Sequence, residues 1–202
     1  MMRRSPQQVV RGLIFIAMIA LSASCDDRDT AAELYYPVDS LISAQIAMLS
    51  NAGASVRKVA TLGKEANTIV FTPDSVTWAK EMEIFRSLAA INKPINQGVY
   101  EIRSGQDRKS NLHVLSFVAT QADLPVEYLK IYYTENPKNL RVLEGSVKES
   151  NSMYKGKRFL LLEFQDIKGE IFLSGYSITG GQKMFLGDSV NYSIKAGISL
   201  KK

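Results

Sequence analysis

Apolar residues between positions 38 and 51 recur every three or four residues along the chain. They are Ile42, Ile46, Met48 and Leu49. This spacing predicts an amphipathic helix whose apolar stripe packs on a sheet. Asp39 or Ser40 can cap the helix at its start, and Asn51-Ala52-Gly53 is a typical helix end.

The next segment alternates between apolar and polar residues, which is the pattern of strands. Residues 55–61 and 66–72 are predicted to pair as a hairpin around Gly63-Lys64.

A second helix follows the hairpin. Asp74 or Ser75 can cap it, and Lys93-Pro94 disfavours its continuation beyond Asn92. Its apolar residues share one face at helical spacing. They are Trp78, Met82, Phe85 and Ala89. This face indicates a second helix packed on the sheet, with the tryptophan as a core residue.

From Gly98 onward the period becomes two, which predicts an antiparallel meander. The predicted strands are 99–104, 112–120, 126–134, 140–149, 158–165, 170–178, 183–186 and 190–200. Residues 112–120 are apolar on both alternations, so a central strand covered on both sides is expected there. Gly180-Gly181 is read as a turn. The predicted fold class is α+β and mostly antiparallel β, with about two helices packed on a strongly curved meander sheet or partial barrel.

The first 24 residues have the order of a secretory signal. Arg3, Arg4 and Arg11 are followed by the apolar run 13–21 and then by small residues. The apolar run is shorter than the roughly 20 residues that a membrane-spanning helix needs. We therefore divide the chain into a signal peptide (1–24), a tether (25–37) and one α+β domain (38–202).

The small residues Ser22-Ala23-Ser24 lead directly to Cys25, the only cysteine of the chain. This segment resembles the lipobox of bacterial lipoproteins, and its relaxed form is similar to those of Bacteroidetes, since Leu21 stands one position further from the cysteine than usual. The resemblance implies that Cys25 carries a diacylglycerol and an acylated amino terminus. It also implies anchoring in the bacterial envelope, with the outer membrane as the expected site. The alternative is an ordinary secretory signal with an incidental cysteine. The acidic residues after Cys25 are either a solvated linker or a sorting signal.

Composition and charge then exclude several classes of protein. Of the 202 residues, 24 belong to the signal, which leaves 178, enough for one domain with a core. Three of the 25 basic residues leave with the signal, so 22 face 20 acidic ones, and nothing favours nucleic acid as a partner. With Cys25 acylated, no internal disulfide can form. The membrane, reached through the lipid, is the expected partner, together with an unidentified envelope protein or apolar ligand.

No catalytic, metal or cofactor motif is recognisable. His113, the only histidine, lies in an apolar strand with no cysteine to join it. Glu144, Glu163 and Asp166 fall on or beside strands and could line a cleft, although a solvated sheet face is the simpler interpretation. Several tyrosines in the β half either pack or line a groove for sugar or peptide. They are Tyr128, Tyr132, Tyr133, Tyr154, Tyr176 and Tyr192.

The relaxed lipobox, the hairpin at 56–71, the segment 76–94 and the tail at 176–183 together resemble uncharacterised lipoproteins of Bacteroidetes. The architecture is similar, at fold level only, to the lipoprotein carriers LolA and LolB, which hold an acyl chain between a curved sheet and helices. Three hypotheses follow. The first is a non-catalytic, lipid-anchored binding or assembly module, the second a carrier of an apolar ligand in the curved sheet, and the third an enzyme acting on cell-surface glycans.

Overall fold

The computed structural model describes residues 34–150, 154–184 and 189–201, and the nine strands in these ranges all join one sheet. The strands are β1 (Ser55–Leu62), β2 (Glu65–Phe71), β3 (Tyr100–Gln106), β4 (His113–Ala119), β5 (Val126–Tyr133), β6 (Leu140–Ser150), β7 (Tyr154–Ile167), β8 (Glu170–Met184) and β9 (Ser189–Ser199). Every pairing between them is antiparallel.

The order of strands in the sheet is β2-β1-β9-β8-β7-β6-β5-β4-β3. Strands β3 to β9 form a meander in chain order, as the turn spacing predicts. The hairpin β1–β2 joins the far side of that meander, because β1 pairs with the last strand from Ser55↔Ser199 to Leu62↔Tyr192. The fold class is therefore α+β with a mostly antiparallel sheet, and β2 and β3 are its open edges. Among the described residues seven strands follow the helices, whereas the turn spacing predicts about eight or nine, because residues 183 and 184 continue β8 and do not open a strand of their own.

The first helix, α1, spans Val38–Asn51, as predicted. The predicted cap is wrong, because Pro37 occupies the cap position and no side chain caps the helix. Asp39 instead lies in the first turn, where its Oδ1 is 3.4 Å from the Arg86 guanidinium of the second helix. The helix ends before Gly53, whose φ of 57° is a left-handed conformation that glycine adopts without strain.

The second helix, α2, spans Ser75–Arg86, and Asp74 caps it by accepting a hydrogen bond of 2.7 Å from the Thr77 backbone N–H. The chain then continues as two short 3₁₀ helices, Ser87–Asn92 and Pro94–Asn96. The predicted apolar face is confirmed for Trp78, Met82 and Phe85, which are all buried. The predicted end near Asn92 is wrong for the α-helix, which stops at Arg86, so Ala89 lies in the first 3₁₀ helix.

The helices cover only one face of the sheet, which we call the helix face. Its buried side chains include Val56, Leu129, Leu143, Leu160, Leu162, Tyr176 and Ile198. They form one hydrophobic core with α1, α2 and the first 3₁₀ helix. Because side chains alternate along a strand, the residues between these point to the other side, which we call the open face.

Two strand predictions are corrected by this arrangement. Strand β4 is not central, because it lies beside the edge strand β3, and Phe117 is its single fully buried side chain. Gly180-Gly181 does not turn, because both residues lie inside β8, opposite Arg158 and Lys157 of β7. The tripeptide Tyr-Ser-Ile occurs at 176–178 and again at 192–194. This separation of 16 residues suggests strands two apart in a meander, but the two copies lie on the adjacent strands β8 and β9. Apolar content and paired glycines alone do not specify where a strand lies or ends.

Candidate functional site

A concave region lies on the open face, across β1, β9, β8 and β7. One depression of ≈ 420 Å³ and another of ≈ 490 Å³ adjoin along these strands, and we call the two together the trough. Several of its lining residues have small side chains or none. Those residues are Thr61, Ser177, Thr179, Gly181, Ser193 and Gly197. Its larger side chains include Phe159, Leu161 and Glu163. Its basic residues are Arg57, Lys157 and Lys195, and Lys148 lies beside it.

The low relief of the trough follows from the residues that alternate toward the open face. In β8 these are Gly175, Ser177, Thr179 and Gly181. A Cβ at Gly175 would lie 2.9 Å from the Ala196 carbonyl oxygen, and one at Gly181 would lie 2.6 Å from Asn191 Oδ1. Close approach of the β9 backbone therefore favours glycine at position 175, whereas at position 181 the close atom belongs to a side chain that can move. Reading Gly180-Gly181 as a turn hid this run of small residues from the sequence analysis.

Beside the trough, Glu127 lies between two lysines. Its carboxylate is 2.6 Å from Lys148 Nζ and 2.5 Å from Lys157 Nζ, and it accepts a hydrogen bond of 2.5 Å from Ser146 Oγ. Partial burial raises the pKa of Glu127, but the hydrogen bonds from Lys148, Lys157 and Ser146 outweigh burial and lower this pKa to about 2. Glu127 is thus a fixed anion that holds both lysines at the rim of the trough.

A second charged pair lies further along the open face, between β5 and β6. Lys130 Nζ is 2.9 Å from Glu144 Oε1 and 4.8 Å from the centre of the Tyr128 ring. Burial lowers the pKa of Lys130, and the hydrogen bond to Glu144 raises it by more, so the net direction is upward. Burial and the Glu144 charge raise the pKa of both Tyr128 and Tyr132.

The three carboxylates singled out from the sequence do not converge. Glu144 is held by Lys130, and Glu163 lines the trough beside Gly175. Asp166 stabilises the β7–β8 turn, where its Oδ1 accepts a hydrogen bond of 2.8 Å from the Gly169 N–H. Glu144 and Glu163 are diagonal neighbours on the open face, because Glu144 lies opposite Leu161 and Glu163 opposite Val142.

His113 and the tyrosines are also distributed over the sheet. His113 is exposed at the start of β4 and stacks on Tyr133, with ring centres 5.7 Å apart. Tyr128 and Tyr132 share the open face, whereas Tyr133, Tyr176 and Tyr192 belong to the helix face. The side chain of Tyr154 lies outside the described ones. The described tyrosines therefore do not form one groove.

Cys25 and the predicted signal and tether up to residue 33 lie outside the described residues. From residue 34 onward, the described helices are too short to cross a bilayer as an apolar span. In the same part of the chain, no three histidine, cysteine, aspartate or glutamate side chains come together as a metal site would require.

No family model matches the chain, and no curated protein matches its sequence. One solved structure is similar, the crystal structure of a LolA superfamily protein from Nitrosomonas europaea. It covers 78% of this chain and 94% of its own, at 8% identity and a TM-score of 0.27. The likeness is weak and concerns the fold alone.

Proposed function

We propose that this chain is a non-catalytic binding module, held in the bacterial envelope by lipid on Cys25, and that the trough on the open face is its binding surface. The observation that carries the proposal is the unequal use of the two faces. Helices and 3₁₀ turns fill one face, while the other presents a long concave strip of small side chains to solvent. We further propose that the sheet is strongly curved, since a nine-stranded open sheet accumulates twist.

The trough suits a ligand with an extended backbone, such as a peptide strand or a glycan chain. Small residues let a ligand backbone approach the sheet closely, and Phe159 offers an apolar ring at the rim with Lys157 Nζ 5.0 Å from its centre. Binding sites combine such apolar surface with a few polar groups that fix orientation. Asn191, Thr179 and Ser193 supply hydrogen-bonding groups along the same strip.

Thr179→Trp tests the trough, because the new side chain would fill it from an exposed position without entering the core. Val76→Trp, also exposed but on α2, is the matched control. The purified protein is screened against panels of extended peptides and envelope oligosaccharides. A ligand lost in Thr179→Trp and kept in Val76→Trp supports the proposal. A ligand that binds both variants as it binds the unmodified chain contradicts it.

The anchor has its own test, the intact mass of the protein purified from native membranes beside a Cys25→Ala version. A gain matching a diacylglycerol and an acyl chain, absent from Cys25→Ala, supports lipidation. An unmodified chain released as a soluble protein contradicts it.

A carrier of an apolar ligand is the first alternative. A ligand beneath the helices would have to displace Trp78, Met82 and Phe85, which are fully buried against the sheet. This alternative therefore requires the helices to separate from the sheet on loading. Lipid-dependent loss of amide protection in α2, measured by hydrogen exchange, would favour it over the trough.

An enzyme acting on glycans is the second alternative, and the diagonal placement of Glu144 and Glu163 gives it a definite test. Diagonal neighbours across antiparallel strands lie about 7–8 Å apart, within the roughly 6.5–9.5 Å that inverting glycosidases use between carboxyl groups. Hydrolysis of an oligosaccharide that is abolished by Glu163→Gln, and unchanged by Asp166→Asn, would replace the binding proposal with this one.

A further inference from the structure

We infer that one end of the sheet docks on the anionic headgroup surface of the membrane that holds the lipid anchor. This inference rests on the proposed function, because it requires lipid on Cys25. The end in question is the one at which β1, β6 and β8 finish and β3, β7 and β9 begin, and we call it the Lys155 end. The opposite end, which carries the β7–β8 turn, is the Asp166 end.

The chain enters the domain at the Lys155 end. The Tyr35 ring packs edge-on against Tyr100, the first residue of β3, with ring centres 5.5 Å apart. The Tyr35 hydroxyl accepts a hydrogen bond of 2.7 Å from the Gly98 N–H, and Asn92 Oδ1 accepts one of 2.9 Å from the Tyr35 N–H. These contacts fix the entry point beside the start of β3.

The length of chain between Cys25 and this entry point limits how far the domain can stand from the bilayer. Leu34 lies nine positions after Cys25, and a fully extended chain spans at most about 3.3–3.6 Å per residue, or roughly 30 Å here. This reach is comparable to the width of a small domain. A lipid on Cys25 therefore keeps the entry point at the Lys155 end within roughly 30 Å of the headgroups.

The charge at this end complements an anionic surface. Lys155 and Lys183 lie directly opposite each other on β7 and β8. A like-charge pair across strands is unfavourable unless something anionic lies nearby. Neither lysine forms an ion pair with any described residue, and the same holds for Lys64 and Lys93.

Acidic side chains at the Lys155 end do not cancel this charge. Glu127 is shared by Lys148 and Lys157, and Glu149 pairs with Arg158. Glu101, the second residue of β3, pairs with Arg103. Glu65 and Asp123 are the other described carboxylates at this end, against the four lysines without ion pairs. The balance is positive, and polybasic segments close to a bilayer attract its anionic lipids.

Exposed apolar side chains share this end with the lysines. They are Leu34 (58% exposed), Leu62 (56%), Ile95 (85%) and Val190 (47%). Apolar groups next to lysines are the composition of surfaces that lie in the headgroup region of a bilayer. They spread from β1 to β3, across the sheet, which fits a broad flat surface better than a small ligand.

The Asp166 end has a different character. Its three hairpin turns carry both signs of charge close together, while Asp74 precedes α2 and Lys201 follows β9 at the same end. The turns contain Asp107, Arg108 and Lys109, then Glu135 and Lys138, then Asp166 and Lys168. Mixed charges of this kind give little net attraction to an anionic bilayer. The difference in charge between the two ends therefore favours an orientation in which the Lys155 end faces the membrane.

The test uses the full lipidated chain, purified from membranes and reconstituted in vesicles. Acylation blocks the thiol of Cys25, so Ile95→Cys provides a single labelling site for an environment-sensitive fluorophore. Val76→Cys, similarly exposed (60%) but near the Asp166 end, is the matched control. Vesicles of phosphatidylcholine alone are compared with vesicles that also contain about one third phosphatidylglycerol.

We expect the Ile95 probe to shift to the blue in the anionic vesicles, and the shift to weaken as salt is raised. The Val76 probe should report water in both. Lys155→Glu with Lys183→Glu should abolish most of the shift, whereas Lys138→Glu with Lys168→Glu, the same charge change at the other end, should preserve it.

Three results would overturn the inference. If the Ile95 probe stays in water although the intact mass shows that the protein is lipidated, the docking inference is wrong and the anchor proposal still holds. An equal shift in both vesicle types rejects the anionic headgroups as the contact. A shift that grows with the number of protein molecules per vesicle assigns the surface to a second copy of the chain.

Discussion

Gln45 of α1 completes the hydrogen bonding of β8 at Leu173. The Leu173 backbone N–H donates to Gln45 Oε1 at 2.7 Å, and Gln45 Nε2 donates to the Ile171 carbonyl oxygen at 2.8 Å. Strand β9 pairs with β8 from Gly175 to Lys183 and goes no further. The amide side chain thus takes the place of a neighbouring strand where β8 would otherwise present a buried, unpaired edge.

Gln45→Leu should lower the free energy of unfolding by about 2–4 kcal/mol, because it leaves a buried N–H and a buried carbonyl without partners. Denaturant unfolding followed by circular dichroism measures the loss. Ala44→Gln, at an exposed position of the same helix, should change stability little. Equal effects of the two substitutions would show that the hydrogen bonds to β8 contribute no net stability.

Gly145→Ala should be destabilising by about 1–3 kcal/mol, the usual effect of overpacking a core. A Cβ at Gly145 would lie 2.4 Å from Leu88 Cδ2 and 3.1 Å from the Tyr128 carbonyl oxygen. Gly105→Ala on β3 is the control, since no atom lies within 4 Å of its Cβ position. In a Leu88→Ala background the cost of Gly145→Ala should shrink, and strict additivity in this double-mutant cycle would contradict the packing argument.

Glu127→Gln should lower the free energy of unfolding by about 1 kcal/mol at neutral pH, a value that allows for solvent screening of the partly exposed carboxylate. The pKa of Glu127 is lowered to about 2 in the folded chain, below the roughly 4.3 of an unfolded glutamate. The stabilisation is therefore complete above the unfolded pKa and is lost as pH falls toward 2. Unfolding measured between pH 7 and pH 2 should show the two proteins converging in acid, whereas a constant difference would reject the charged contact as its cause. Glu170→Gln, at an exposed carboxylate, serves as the control.

Tyr176→Phe should cost about 1 kcal/mol at neutral pH, because the Tyr176 hydroxyl donates a hydrogen bond of 2.6 Å to Glu81, which Lys58 also contacts. Burial and the Glu81 carboxylate raise the pKa of Tyr176 above its usual value. The stabilisation is present below the unfolded pKa of about 10 and declines as pH rises above it. Denaturant unfolding of the two proteins should show the difference in their free energies of unfolding decreasing between about pH 9 and pH 11. A difference that increases over this range would contradict the hydrogen bond to Glu81 as its cause.

Local patterns predicted the helices better than they predicted the sheet. The spacing of Ile42 and Leu49 predicted α1. Asp74 predicted the start of α2 and Trp78 its buried face, because capping and helical period depend on residues close together in sequence. Turn residues such as Gly63, with a φ of 59°, placed the hairpin for the same reason.

The remaining features depend on partners far away in sequence. Gly180 and Gly181 could be assigned to a strand only once Tyr192 and Asn191 were known to lie beside them. Gln45 is a polar residue on an apolar stripe, and its role becomes visible only when β8 ends its pairing with β9 nearby. The trough could not be read from the chain either, because it combines alternate residues of four strands.

The pairing of β1 with β9 also affects when the fold can form. Ser55 and Ser199 are partners, so the first strand gains its inner neighbour only from the last strand. Pairings this distant in sequence carry a large loop-closure cost and slow the folding of β proteins. The sheet therefore cannot be completed until the last strand, β9, is available to pair with β1. A chain that stops before residue 189 would expose the inner edges of β1 and β8 together, which makes late truncation a route to aggregation.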